Sequence, residues 1–383
     1  MGEEASTSRI LRMAEEGLRS WLSSLEEPEE AQARVLEKLL PSYARTSYGR
    51  EHGLEPDMDI EEYKASVPPR PYEGFRPYIA RVLGGDIGAL LIEEPMFFGV
   101  TSGTTGPPKL IPITEADART RISVMAKGMA RYASYWGDPD VFGAACLAPC
   151  LPSRLGEVRI GERAVPYGYI SGIYVELISR FTGLSLEAYM EKVNEIGPGT
   201  RKNDWEGRFR ALLDLLEGLE VRSAMGAAPA LWMFARWLRR REKAWPGEKW
   251  RIGMVLCAGV PHIWESYAGD LSRMYGGVLM EAYGATEGMF ALRLDEEPYL
   301  VPFYDTYLFE VRVGKEVKML YEMRAGEVGS LVISTPIFPR YEIRDLVVCY
   351  ADGLYFRIPG RDRLRTRMWL SLSRFLRGLA SSF

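Results

Sequence analysis

FFGVTSGTTGPPKLIPIT, residues 97–114, is the stretch whose reading decides the rest of the chain. Phe97 to Val100 is apolar and β-prone, and it stops at Thr101, Ser102, Gly103, Thr104, Thr105, Gly106, Pro107, Pro108 and Lys109. A strand therefore feeds a loop. That loop offers four hydroxyls, two glycines whose N–H groups can approach a ligand closely, and one lysine, a set suited to an oligophosphate. It does not follow the G-x-x-x-x-G-K-[ST] pattern, because Lys109 follows Pro108 and precedes Leu110. On its own it reads equally as a Ser/Thr/Gly surface turn.

Working outward, Thr114 is a good N-cap for a helix reaching about Tyr135, with Asp117 three residues on as in a capping box. That helix is expected to begin just beyond Lys109. Upstream, apolar spacing predicts helices over residues 6–25 and 29–40, the second stopping before Pro41, and mainly helical segments over 57–69 and 72–83. Downstream, Val141 to Pro149 reads as a buried strand, Leu151 to Gly172 as a loop that could wall a pocket, and 185–240 as helical around a strand at Val221 to Met225. Strands Arg251 to Cys257 and Gly277 to Tyr283 flank a helix, Ile263 to Tyr275. Strand, turn and helix repeated in this way define an α/β layered domain with a partly parallel sheet. Beyond Phe290 the apolar period becomes two, and short strands at 299–301, 307–313, 317–321, 330–334, 346–350 and 354–357 predict a β-rich subdomain.

Composition sets the bounds. A chain of 383 residues, with 47% hydrophobic and 26% charged residues, is expected to form one large globular domain or two. It contains no run of the ~18 apolar residues a membrane span needs, and its first 25 residues are too charged for a signal peptide, so a cytoplasmic protein is expected. Cys146, Cys150, Cys257 and Cys349 lie in or beside apolar segments, as buried free thiols do. Two histidines, His52 and His262, exclude a histidine-rich zinc site, and a net charge of −4 argues against nucleic acid as a partner. Arginine outnumbers lysine almost fourfold, and the side-chain amides are Gln32, Asn194 and Asn203 alone. Such scarcity of amides fits a thermophile, although a GC-rich genome would also favour arginine.

Four further motifs are candidates for chemistry. EAYGATEG, residues 281–288, ends a strand where α/β proteins tend to place sites, and supplies an aromatic face in Tyr283, a hydroxyl in Thr286 and a carboxylate in Glu287. Gly284 and Gly288 keep that turn tight. CAGVP, residues 257–261, puts Ala258 and Gly259 at a strand end with room for a flat ring, or serves simply as a packing turn. RYEIRD (340–345) and GRDR (360–363) read by themselves as charged turns.

TSGTTGPPK resembles the phosphate-binding signature of the adenylate-forming superfamily, which includes the acyl-CoA synthetases. Its continuation LIPIT, with SYGREHGL (47–54) and VPPRPYEGFRPYIARVLGGD (67–86), resembles the acyl-acid amido synthetases, the auxin-responsive family that couples jasmonate or indole-acetate to amino acids. The resemblance runs from about residue 30 to about residue 362. It implies a large adenylate-forming N-terminal domain: an α/β core with N-terminal helices over 1–290 and a β-rich subdomain over 291–362.

The resemblance also implies roles. ATP would lie on the 101–109 loop with Lys109 on its phosphates, magnesium on Glu287, Thr286 on phosphate, and adenine on Tyr283 beside Gly284, Ala258 and Gly259. Asp345 would accept both ribose hydroxyls, with Arg344 standing where relatives carry glycine, and Arg361 would match the hinge motif G-R-x-D. The implied reaction activates a carboxylic acid as acyl-adenylate, releases pyrophosphate and passes the acyl group to an amine or a thiol. Relatives continue past the hinge with a small C-terminal domain. Here residues 363–383 are a basic stretch with Met368, Trp369, Leu370, Leu372, Phe375, Leu376 and Leu379 at near-helical spacing. The expectation is a chain lacking that domain, completed by a separate subunit or left as a nucleotide-binding remnant; the tail is expected to pack on its own body, or to be a truncation or frameshift product, ahead of binding a membrane surface or a partner helix. An acyl-CoA ligase-like transfer to coenzyme A is the alternative. The acid pocket is expected to draw on Phe142, Tyr167, Met225 and Leu231.

Overall fold

The computed structural model describes residues 2–101 and 109–368, the side chains from residue 12 onward. The chain opens on helices α1 (Gly2–Glu26), α2 (Pro28–Ala44), α3 (Ser47–Glu51), α4 (Ile60–Ser66) and α5 (Tyr72–Leu83). Strands β1 (Phe97–Val100) and β2 (Leu110–Ile113) precede helix α6 (Glu115–Trp136). Next come β3 (Ala145–Leu147), β4 (Gly156–Ile160), β5 (Arg163–Tyr169), α7 (Ile170–Thr182), α8 (Glu187–Ile196) and α9 (Lys202–Leu215). The parallel core follows as β6 (Val221–Ala227), α10 (Ala228–Glu242), α11 (Pro246–Lys249), β7 (Met254–Ala258), α12 (Ile263–Ser266), α13 (Ala268–Tyr275) and β8 (Val278–Ala285). Antiparallel strands complete it: β9 (Gly288–Arg293), β10 (Leu300–Pro302), β11 (Leu308–Val313), β12 (Glu316–Met319), β13 (Val328–Ser334), β14 (Tyr341–Ala351) and β15 (Tyr355–Arg361).

These strands form two sheets. One has four strands in the order β2-β1-β5-β4; the other has eleven, in the order β12-β11-β13-β14-β15-β10-β9-β8-β7-β6-β3. Within the larger sheet β3, β6, β7 and β8 run parallel and the rest pair antiparallel. The layered α/β domain expected from the sequence is therefore present, and the same sheet continues through residue 290 into the β-rich part.

The period of two decides how that sheet is covered. Met254, Leu256, Met280 and Ala282 face a core shared with α1, α2, α5 and α6, whereas Val255, Cys257 and Leu279 face one shared with α9, α10 and α13. A third, small cluster of Phe97, Ile113, Ala118, Ile173 and Leu177 joins the four-stranded sheet to α6 and α7. The N-terminal helices are tied on by buried polar bonds. Trp21 Nε1 donates to the Pro302 carbonyl at 2.8 Å. Gln32 donates to the carbonyls of Tyr304 and Tyr307 and accepts from Phe309 N, each at 2.7 Å. Among the described residues no helix is long and apolar enough to cross a membrane. All four cysteines are free thiols, three of them buried and Cys146 half-buried.

Several expectations are corrected. Helix α2 runs through Pro41 to Ala44, because Leu39, Leu40 and Tyr43 bury on both sides of the proline and outweigh its missing N–H. Strand β2 lies between Lys109 and α6. Residues 151–172 are not a loop: β4 and β5 form a hairpin in the smaller sheet, pairing from Gly156↔Tyr167 to Ile160↔Arg163. The strand expected at 141–149 is only Ala145–Leu147, preceded by a 3-10 turn over Pro139–Phe142. The helix expected over 263–275 breaks at Tyr267 into α12 and α13. Strand β14 begins five residues earlier than expected, at Tyr341.

Candidate active site

Lys109 immediately precedes β2, at the end of the connection between two antiparallel strands, and Thr101 N donates to its carbonyl at 3.4 Å. Ser102, Gly103, Thr104, Thr105 and Gly106 lie outside the described residues. The lysine is held from two sides. Tyr72 at the start of α5 accepts from Leu110 N at 3.0 Å and donates to Leu110 O at 3.2 Å, putting its ring centroid 5.2 Å from Lys109 Nζ. On the other side the Tyr341 centroid is 5.8 Å away, and Lys109 Nζ donates to the Tyr341 hydroxyl at 3.2 Å. Burial lowers the Lys109 pKa, partly offset by the Glu287 carboxylate.

Thr286 and Glu287 are the two turn residues of the β8–β9 hairpin, closed by the pair Ala285↔Gly288. Both are buried. The turn reaches the four-stranded sheet because Gly99 has no side chain: a Cβ there would lie 2.5 Å from Thr286 Cγ2. Gly284 is required similarly, since its Cβ would meet the Gly288 carbonyl at 2.9 Å. The Tyr341 hydroxyl donates to Glu287 Oε1 at 2.6 Å. A cation from one sheet and an anion from the other are thus joined through one phenol.

A second chain of contacts lies on the larger sheet. Asp345 and Arg361 are register partners on β14 and β15, with Arg361 Nε 3.3 Å from Asp345 Oδ1. Tyr283 donates from its hydroxyl to Asp345 Oδ2 at 2.8 Å, and Arg361 Nη1 donates to the Ile343 carbonyl at 2.6 Å. Burial raises the Asp345 pKa against the opposing pull of Arg361. Arg344 takes the left-handed backbone (φ 63°) that suits glycine, and its side chain reaches Glu73 at 3.5 Å. Arg344 thus takes within β14 the left-handed conformation that glycine favours.

Ala258 ends β7, opposite Ala227, and Gly259 follows at φ 88°. Pro261 of the same turn lies 3.9 Å from where a Gly360 Cβ would stand, beside Arg361. Of the residues expected for the acid pocket, Leu231 is a fully buried core residue. Its carbonyl accepts from Tyr275. Phe142, Tyr167 and Met225 are partly buried beside the main core. Sequence reasoning missed Tyr72, Tyr341 and Gly99. The tyrosines stood inside quoted motifs, but no spacing rule indicates that a hydroxyl 232 positions from Lys109 reaches it.

The fold is similar to that of solved ligase structures. Solved structures of the GH3.15 acyl acid amido synthetase superpose with a TM-score of 0.69 at 19% identity, covering 89% of this chain and 70% of that one. 2-Hydroxyisobutyryl-CoA ligase superposes at 0.61 and 17%, covering 88% and 68%. In sequence, residues 18–147 match the model described as the GH3 family N-terminal domain. Indole-3-acetic acid-amido synthetase GH3.15 of Arabidopsis thaliana is 39% identical over 94 residues, and Jasmonoyl--L-amino acid synthetase GH3.5 of Oryza sativa subsp. japonica 33% over 95. Each match spans 24% of this chain and 16% of the relative.

Proposed function

We propose that this chain activates a carboxylic acid with ATP, forming an acyl-adenylate and pyrophosphate, and passes the acyl group to an amine. The observation that carries the proposal is the meeting of Lys109 and Glu287 on one tyrosine hydroxyl, at 3.2 and 2.6 Å, beside a separate Tyr283–Asp345–Arg361 chain. One group of residues suits an oligophosphate and its cation, the other a ribose.

In this reading Lys109 neutralises charge on the phosphates, and Asp345 accepts from the ribose hydroxyls. Tyr283, Ala258 and Gly259 border the base. The acid's carboxylate attacks the α-phosphorus as pyrophosphate departs; it is ionised at neutral pH, so no general base is needed. The chain's contribution is position and charge. Magnesium fits Glu287 with Thr286 beside it: one buried carboxylate and a hydroxyl suit a cation whose other ligands are phosphate and water, and bound there it would supply charge neutralisation. Among the described residues no group of three His, Cys, Asp or Glu forms a protein cage for a metal.

Pyrophosphate exchange with a panel of carboxylic acids tests the first half-reaction. Acid-dependent exchange, lost in Glu287→Gln, is expected. Nucleotide binding without exchange for any acid would leave a binding remnant instead. The family match over residues 18–147 favours an amine acceptor; acyl transfer to coenzyme A and not to amino acids would favour a thiol.

A further inference from the structure

The phenol between Lys109 and Glu287 is unusually well fixed for a single hydroxyl. Tyr341 is 1% exposed, stacks on Phe338 at 5.0 Å and meets Phe75 at 6.0 Å. Its backbone is pinned by Arg70 N donating to Arg340 O at 3.1 Å and Glu342 N donating to Arg70 O at 2.8 Å. The preceding Arg340 makes a buried two-pronged pair with Glu310, at 2.8 and 2.6 Å. Neither the ring nor the strand start can shift easily, so the hydroxyl is a fixed point to which two longer side chains come.

We infer that Tyr341 is a positioning residue that keeps Lys109 and Glu287 from closing into a direct ion pair, holding both open for a metal–triphosphate. This rests on the nucleotide reading above. In a partly desolvated site opposite charges a few ångströms apart attract strongly, and a direct pair would have to be broken before phosphate and metal could enter. The hydroxyl accepts from the ammonium and donates to the carboxylate, so it satisfies both while standing between them.

Calorimetry with magnesium and a non-hydrolysable ATP analogue, on wild type, Tyr341→Phe, Lys109→Ala and the double variant, tests this. The phenylalanine keeps the ring packing, and a thermal melt of each variant establishes that it is folded. Tyr341→Phe should weaken binding about tenfold, because Lys109 then closes onto Glu287. In the double variant no such pair can form, so its affinity should match that of Lys109→Ala alone. Unchanged affinity in Tyr341→Phe, or penalties that simply add, would overturn the inference and leave the nucleotide reading intact. A wild type that does not bind the analogue would overturn both.

Discussion

In the proposed nucleotide reading, Lys109 is a residue that folding tolerates and ligand binding requires. Its ammonium is half-buried between two rings, and desolvation depresses its pKa, so it costs the fold something to keep. Lys109→Ala should therefore weaken ATP binding by about ten- to a hundredfold while moving the thermal midpoint by no more than about 3 °C. A large fall in the midpoint would mark the lysine as structural. The residue scale is also where the sequence was easiest to read in part. Lys109 and Glu287 stand out by residue type and motif, and Asp345 and Arg361 only through the family resemblance, whereas Tyr341 looks like any strand aromatic until its partners 232 and 54 positions away are known.

At the scale of elements, what was legible depended on whether one period dominated. Helix α5 and strands β6 and β7 have clear apolar spacing, and their observed ends match expectation within a few residues. The β4–β5 hairpin did not stand out, because its alternation of Val158, Ile160, Val165 and Tyr167 is set among glycine, proline and charge. Helix α2 was cut short at Pro41 because sequence gives the missing N–H but not the core waiting beyond it. One of its ties to the sheet is an amide. Gln32 bonds two carbonyls and one N–H around β11, all buried, so Gln32→Ala leaves three backbone groups without partners. Chemical denaturation should record a loss of about 2–4 kcal/mol. A loss below about 1 kcal/mol would mean that water replaces the amide.

Over the whole molecule, stability should respond to pH through Glu281 on β8. Burial pushes its carboxyl up to about 7, Arg357 of β15 and Arg293 of β9 oppose the shift, and Glu265 of α12 adds to it. The folded state thus holds a proton that the unfolded chain releases near its ordinary value of 4.5. The resulting stabilisation is full below pH 4.5 and is lost as pH rises through about 7. Wild type should lose about 1 kcal/mol more than Glu281→Gln between pH 5 and pH 8 in parallel urea titrations, and equal losses would remove Glu281 as the source.

Gly99 is small, but it sits on the seam between two sheets that otherwise carry different halves of the site. Tyr283, Asp345, Arg361 and Ala258 all belong to one hydrogen-bonded ladder, so their spacing is set within a single body. Lys109 belongs to the other sheet, and its distance from Glu287 is set by how closely β1 approaches the hairpin turn. One methyl group at Gly99 acts as a shim in that gap. Gly99→Ala should weaken triphosphate binding while AMP, which the proposed reading places on the larger sheet alone, keeps its affinity; calorimetry with both nucleotides would separate a two-sheet grip from a one-sheet pocket.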